Sequence, residues 1–424
     1  MLAKPTLLLL SLTFALAAAP SGALRCGHLL DVRSGKTIDD AVIVFSDGSI
    51  TAAGAAQTIT IPPDATQVDL SGETCLPGLI DVHDHLTSDP SHSGYQGLGI
   101  SVPRSALTGA KNARRTLEAG FTTVRNVGAE GFSDVALRDA INAGEIPGPR
   151  LRVSGPALGI TGGHCDENLL APEFHYKSDG VADGPWAARA KVRENVKYGV
   201  DLIKICASGG VLSKGDTPGA PQYTLEEMTA IAEEAHKLGR KVAAHAHGTQ
   251  SIKDAIRAGI DSIEHSSLID DEGIALAKEH GTYLVFDIYN DDYILTEGLK
   301  AGMLPESIEK EKGIGKLQRQ NFRHAYLGGT KMAFGTDGGV YPHGDNARQF
   351  AIMVEYGMKP IEAIQAATIN AADLVGWAST VGSLEPGHYA DIIAVDGDPL
   401  KDIRTLEKVR FVMKGGEVVR PLGR

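Results

Sequence analysis

The sequence predicts an α/β chain: a (β/α)8 TIM barrel with a small β-sandwich built from both termini. Three observations carry this. Short β-branched and apolar runs separated by turns occupy both ends of the chain. Between them, strand-like and helix-like segments alternate eight times, the mark of a parallel α/β sheet. The 424 residues are 42% hydrophobic and 22% charged, too long for one small domain and too apolar for disorder.

The first stretch reads as an address. Met1–Pro5 carries one charge, Lys4, and Leu7 to Ala19 is uncharged. Ala17-Ala18-Ala19 or Ser21-Gly22-Ala23 offers small residues for cleavage. The apolar run falls short of the about 20 residues that a membrane-spanning helix needs. Residues 1–23 are therefore expected to be a signal peptide and the mature protein to be exported, to periplasm or medium. Arg25 before Cys26 argues against a lipoprotein site. In such a compartment Cys26, Cys75, Cys165 and Cys206 can form disulfides, but spacing leaves their pairing open.

His28–Val32, Ala41–Phe45, Ser49–Ala53 and Gln67–Leu70 read as strands, with Ser46-Asp47-Gly48 as a hairpin turn. Ala390–Val395, Val409–Met413 and Glu417–Val419 repeat that texture at the other end. Residues 24–77 and 379–424 are assigned to the composite sandwich, and 78–378 to the barrel. The barrel strands are Leu79–His85, Thr122–Val127, Arg150–Ser154, Leu202–Ser208, Lys241–His247, Ser262–Ser266, Tyr283–Tyr289 and Lys331–Asp337. Thr224 with Glu227 forms a capping box opening one helix, which Gly239 stops. Pro360 opens another, running to about Gly376. Lys and Arg number 41 against 53 Asp and Glu, net −12, with no basic blocks, which argues against nucleic-acid or anionic-membrane partners.

A barrel gathers its site at the C-terminal ends of its strands, and those ends are distinctive here. In His83-Asp84-His85 the alternation of strand side chains puts both imidazoles on one face, about 7 Å apart, where they can hold one metal ion. Lys204 faces opposite to Ile203 and Ile205 and so points into the barrel. Two resolutions are open for it: a salt bridge, or reaction of the neutral amine with carbon dioxide to give an anionic carbamate able to bridge two ions. His245 and His247 repeat the His-x-His pattern, His265 ends the sixth strand, and Asp337 ends the eighth beside flexible glycines. Each is bland alone. Five of eight strands bearing His, Lys or Asp at the catalytic end are not.

These positions resemble the amidohydrolase superfamily: His83, His85, Lys204, His245, His265 and Asp337 match its six metal-site positions in order. Thr161-Gly162-Gly163-His164, Ala244-His245-Ala246-His247-Gly248 and the stretch Val381–Asp391 are similar to its imidazolonepropionase-like branch, which includes secreted prolidases, carboxypeptidases and ochratoxin-hydrolysing amidases. The resemblance implies a distorted barrel and two divalent ions, zinc for preference, with manganese or cobalt able to substitute. His83, His85 and Asp337 would bind the buried ion, His245 and His265 the exposed one, and carbamate on Lys204 would bridge them.

It implies hydrolysis of an amide to a C-terminal amino acid, carboxypeptidase- or prolidase-like, with ochratoxin A as one candidate substrate. Asp337 would be proton shuttle and His247 oxyanion donor, both catalytic. His164, Tyr289 and His343 are the candidate substrate-binding residues, His164 first for an α-carboxylate. Asp287 and the Asp291-Asp292 pair are read as solvated rather than as an acidic pocket. The alternatives are a cyclic amide or imine hydrolase and, in another class, a metal-free scaffold. The expected partners are small amide or dipeptide substrates and further copies of the chain, since many relatives form oligomers.

Overall fold

The computed structural model describes residues 21–423. Most of the expected signal peptide lies outside them. The first strand, β1 (Gly22–Asp31), already contains Ala23, which is buried, so the earlier of the two cleavage points leaves this strand whole.

Both ends of the chain build one mixed sheet. With β2 (Lys36–Ser46), β3 (Ser49–Ala55) and β4 (Thr66–Pro77), β1 starts a seven-stranded sheet. Its other members come from the far end of the sequence. β4 pairs in parallel with β1 on one side, Leu24 opposite Val68, and in antiparallel with the segment Ile392–Val395 on the other, Leu76 opposite Ile393. Alternation sends Leu24, Cys26, Ile43, Phe45, Leu70 and Cys75 into one core with Ile392 and Phe411. Cys26–Cys75 is a disulfide within it. The strands extend beyond the apolar runs because hydrogen-bonded partners hold polar residues such as Lys36 and Thr37 in the ladder.

Seven regular strands line the barrel: β5 (Leu79–Asp84), β6 (Phe121–Asn126), β7 (Arg150–Val153), β8 (Leu202–Cys206), β9 (Lys241–Ala246), β10 (Ser262–His265) and β11 (Tyr283–Val285). They form two parallel sheets, β5-β6-β7 and β11-β10-β9-β8. Ile203, Ile205, Val242, Ala244 and Ile263 share one core, so their neighbours Lys204 and His245 face the interior. The remaining strands of the terminal sheet are β12 (Ile392–Val395), β13 (Phe411–Lys414) and β14 (Glu417–Arg420).

The expected eighth strand, Lys331–Asp337, is not a regular strand. It crosses the seam between β11 and β5 as an extended segment: Leu284 N–H donates to Lys331 O at 2.9 Å, Val82 N–H to Phe334 O at 2.9 Å, and Asp337 N–H to His83 O at 2.7 Å. Gly335 explains the close approach, since a Cβ there would run into Val285 Cγ1 and lie 2.7 Å from His83 Cβ. The seventh strand is likewise shorter than expected. Beyond Val285, Gln349 Nε2 serves Phe286 O at 3.1 Å and Gly335 O at 2.8 Å in place of a ladder partner. Leu158 closes the opposite seam, donating to Lys204 O and accepting from Cys206 N–H, each at 2.8 Å.

Thr224 and Glu227 form the expected capping box, opening a helix over Leu225–Lys237. The helix expected from Pro360 to Gly376 is instead two, Pro360–Ala366 and Ile369–Leu374, broken at Thr368. The carbonyls of Ala366 and Ala367 are drawn off to Phe334 N–H and Ile80 N–H, so this break ties the helical layer to the barrel seam. No described helix is long and apolar enough to cross a membrane. Gly335→Ala is expected to cost about 1–3 kcal/mol by overpacking the seam; an unchanged melting temperature in calorimetry would refute this account of the eighth segment.

Candidate active site

The strand ends deliver the expected ligands to one cavity of about 360 Å³. His83 lies on β5 and His85 just past it, Lys204 on β8, His245 on β9, His265 at the end of β10, and Asp337 after the irregular segment. All six line the cavity, together with His164 and His247. His245, His247 and His265 offer ring nitrogens that all lie within 4.8 Å of one another, as do the ligand atoms of His83, His265 and Asp337. The backbone is bent to achieve this. His265 has φ +70° and Asp337 φ +57°, left-handed values that non-glycine residues hold only where surrounding structure imposes them.

Hydrogen bonding behind the rings sets which nitrogen faces the cavity. His265 Nδ1–H donates to Asp287 Oδ2 at 2.9 Å, and His85 Nδ1–H to Gly128 O at 3.4 Å. His83 Nδ1 lies 3.2 Å from Glu264 Oε2. Each partner is an acceptor only, so a ring that carries a single proton holds it on Nδ1 and turns a lone pair on Nε2 forward. Yet His83 Nε2 and His85 Nε2 both lie against Asp337 Oδ1, at 3.3 and 3.1 Å. Two lone pairs and a carboxylate oxygen converging in a buried space repel unless a proton or a metal ion sits among them. The buried Nε2 of His245 also has no hydrogen-bond partner. Imidazole and carboxylate donors of this kind fit a divalent metal ion.

Positive charge is drawn to this point. Burial and Lys204 oppose protonation of His83, but Asp337 and Glu264 push its imidazole up. Burial likewise opposes ionisation of Asp337, but His83 and His85 hold its carboxyl well below the usual range. Burial and neighbouring imidazoles push His245 and His247 well below ordinary histidine values, so both are neutral near pH 7. Burial lowers the Lys204 ammonium to about 8.

His164 and His247 each rest on a serine hydroxyl. Ser213 Oγ–H donates to Asp216 Oδ1 at 2.6 Å, so His164 Nδ1, 2.7 Å from that oxygen, must be the donor, and its Nε2 is an acceptor until protonated. Lys310 Nζ completes the chain at 2.9 Å from Asp216. His247 Nδ1 meets Ser267 Oγ at 2.7 Å. A serine hydroxyl can serve either role, so His247 turns an N–H forward in the tautomer in which Ser267 donates.

Other expectations fail. Tyr289 does not line the cavity; its ring packs on Tyr341 at 4.8 Å, ahead of the helix Asn290–Ala301. His343 lies in an adjoining cleft with Arg115 and Tyr293, its Nδ1 3.3 Å from Asp84 Oδ1 and its Nε2 3.3 Å from Ser88 O, behind the His83–His85 turn. Asp287 and Asp291 are buried, not solvated, although Asp292 is exposed. Asp287 takes Gln318 Nε2 at 2.6 Å and Asn290 Nδ2 at 2.8 Å, and Asn290 also reaches Asp337 Oδ2 at 3.1 Å.

Sequence reasoning passed over Arg125 and Glu264. Arg125 Nη2 meets Glu264 Oε1 at 2.7 Å, neutralising the carboxylate that orients His83. The available signal was a charged residue in the middle of a barrel strand, as at Lys204. Gln318 and Asn290 left no such signal, since they reach the site only through tertiary packing.

Residues 74–419 match the Amidohydrolase family. The chain is 34% identical over 422 residues to ochratoxinase of Aspergillus niger, covering 93% of this chain and 86% of that one. It superposes on a Xaa-Pro dipeptidase with methionine bound in its active site at a TM-score of 0.85 and 37% identity, over 94% and 99% of the two chains. With a prolidase complexed with N-methylphosphonate-L-proline the TM-score is 0.87 and the identity 31%, over 95% and 100%. The barrel with its mixed terminal sheet, the histidine-lined mouth and a family match over most of its length agree: this chain belongs to the amidohydrolase family, whose members are generally metal-dependent, and is a hydrolase acting on amide bonds.

Proposed function

We propose that this protein is an exported, binuclear metal-dependent amidohydrolase that frees the C-terminal amino acid of dipeptides and N-acyl amino acids, including aryl amides such as ochratoxin A, which would yield ochratoxin α and phenylalanine. The observation that carries the metal reading is the convergence of the His83 and His85 lone pairs on Asp337. His83, His85 and Asp337 would hold one ion and His245 and His265 a second, with a carbamate on Lys204 between them; zinc suits this donor set. The ions would supply Lewis-acid polarisation of the substrate carbonyl and acidify the attacking water.

The chain's own groups account for the remaining steps. Asn290 donates to Asp337 Oδ2 and so fixes the carboxylate. Asp337 would accept the water's proton and pass it to the leaving nitrogen, base and then acid. His247, neutral and taken in the tautomer in which Ser267 donates to its Nδ1, would donate its Nε2–H to the oxyanion of the tetrahedral intermediate. An α-carboxylate would be met by His164, its Nδ1–H held by Ser213. Burial holds this imidazole down to about 4, so it would have to take up a proton as the anion binds, the new charge balanced through Asp216. Val211, Leu212, Ile294, Ile314 and Val340 give the cavity an apolar wall suited to an amino-acid side chain. The two similar structures carry ligands of that size, methionine and a proline phosphonate. Export is supported by two disulfides, Cys26–Cys75 and Cys165–Cys206, which belong to oxidising compartments.

The reading as a whole is tested by incubating zinc-loaded enzyme with dipeptides, N-acyl amino acids and cyclic imides and identifying products; it fails if no free amino acid appears. Asp337→Asn should cut kcat by roughly 10³-fold. Lys204→Ala should lower bound metal measured by elemental analysis, with partial recovery of activity on adding short-chain carboxylic acids; full metal content would remove the carbamate. Asp216→Asn, which reverses the polarity behind His164, should raise KM for free-carboxylate substrates about tenfold while leaving their C-terminal amides unaffected.

A further inference from the structure

The segment 154–184, between β7 and the helix Pro185–Lys197, carries His164 and has little regular structure beyond a turn at Pro172–Phe174. Several of its hydrogen bonds close on the segment itself. Thr161 donates to Asp183 from N–H at 2.9 Å and from Oγ1–H at 2.6 Å, and Asp166 takes Gly162 N–H at 2.8 Å and Ser178 N–H at 2.9 Å. Beside His164, however, the segment is joined covalently to the barrel wall. Cys165 forms a disulfide with Cys206 at the end of β8, their Cα atoms 5.9 Å apart.

Cys206 stands two residues beyond Lys204, on the same inward face of β8, and is paired with His245 of β9. The His164 ring stacks on the ring of His245, centres 4.0 Å apart and planes 21° apart. Gly210 admits that ring, since a Cβ there would lie 2.3 Å from it. The bridge thus holds the backbone next to His164, His245 sets the plane of the ring and Ser213 holds its Nδ1. Strand β8 needs no such tie, because its ladder to β9 and the bonds of Leu158 already fix Lys204 and Cys206.

The two disulfides differ in access. Cys26 and Cys75 are wholly buried in the terminal sheet, whereas Cys165 is partly exposed and, with Cys206, lines the cavity. A small thiol entering by the substrate's route meets this bridge and not the other.

We infer that the Cys165–Cys206 disulfide positions His164 for substrate binding and makes substrate affinity sensitive to thiol reductants. The inference rests on the reading of His164 as receiver of the α-carboxylate. An external thiolate attacks one sulfur, the S–S bond breaks and its electron pair leaves on the other sulfur. A second external thiol then resolves the mixed disulfide, so two thiols become one disulfide as two cysteine thiols form. The opened segment keeps its bonds to Gln222 and Ser213 but loses its anchor, and ordering His164 around an anion costs more.

The test opens the bridge in two ways, with reduced glutathione and by Cys165→Ala with Cys206→Ala. Alkylation and mass spectrometry identify the opened disulfide. For the zinc-loaded protein, KM for N-acetyl-methionine should rise about tenfold, with kcat and the KM of its C-terminal amide changed less than about threefold. Metal content should stay constant, oxidised glutathione should restore KM, and in a His164→Ala background opening should change KM less than about twofold. An unchanged KM, equal effects on acid and amide, or loss of metal overturns the positioning role. A bridge that glutathione leaves closed, or opens only after Cys26–Cys75, overturns the reductant sensitivity. Calorimetric binding of free methionine, expected to weaken about tenfold on opening, reads the site without catalysis. Weakened binding with no amide cleaved would refute the proposed reaction and leave the bridge's role standing. Equal binding with amides cleaved would refute the bridge alone, and neither binding nor cleavage by the oxidised protein would refute both.

Discussion

Everything at the barrel mouth follows from where imidazole protons are held. Asp287 and the Gly128 carbonyl accept from the rear nitrogens of His265 and His85, and Glu264 lies 3.2 Å behind His83, so a single ring proton is held at the rear and the forward nitrogens present lone pairs. Turned toward one another and toward Asp337, they form a set of bases that only positive charge can reconcile. The supporting groups are as necessary as the ligands. Arg125 keeps Glu264 ionised in a fully buried position, and Gln318 with Asn290 fixes the Asp287 carboxyl by hydrogen bonds. Loss of any of these would free a ring to carry its proton on the wrong nitrogen.

The fold provides this arrangement by being imperfect. A regular eighth strand would continue the pleat past residue 334 and aim its side chains along the barrel wall. Gly335 lets the segment press against His83 instead, and the left-handed turn at Asp337 swings the carboxylate over His83 and His85. His265 is turned from β10 by a second left-handed residue. Such strain is stable because the surrounding network over-determines it: Asp81 accepts Thr336 N–H at 3.2 Å, and Asn346 donates to Asp81 at 2.8 Å.

The parts legible in the sequence were those written in local periodicity and residue chemistry. Barrel strand order, the terminal sheet, the capping box at Thr224 and the six residues at the mouth all rest on alternation, turn residues and the oddity of His or Lys in apolar runs. The unreadable parts depend on partners distant in sequence. Tyr289 looks like a strand-end residue, but the strand has already ended at Val285 and Gln349 takes over its hydrogen bonds. Asp287 and Asp291 look like solvated turn acids because nothing nearby in sequence announces the helix that covers them. His343 is close to Asp337 in number yet is held behind the site by Asp84.

The pairing of β4 with strands from opposite ends of the chain bears on biosynthesis. β4 has β1 on one edge and β12 on the other, and β12 begins at Ile392. The amino-terminal strands thus emerge from the ribosome with an apolar edge that stays open until nearly the whole polypeptide has been translated. Long-range closure of this kind is slow and leaves the nascent chain dependent on protection from self-association. Maturation of the sheet is consequently a post-translational event, and a truncation that spares every barrel residue but removes the last few dozen would strand the first half of the sheet without its neighbour.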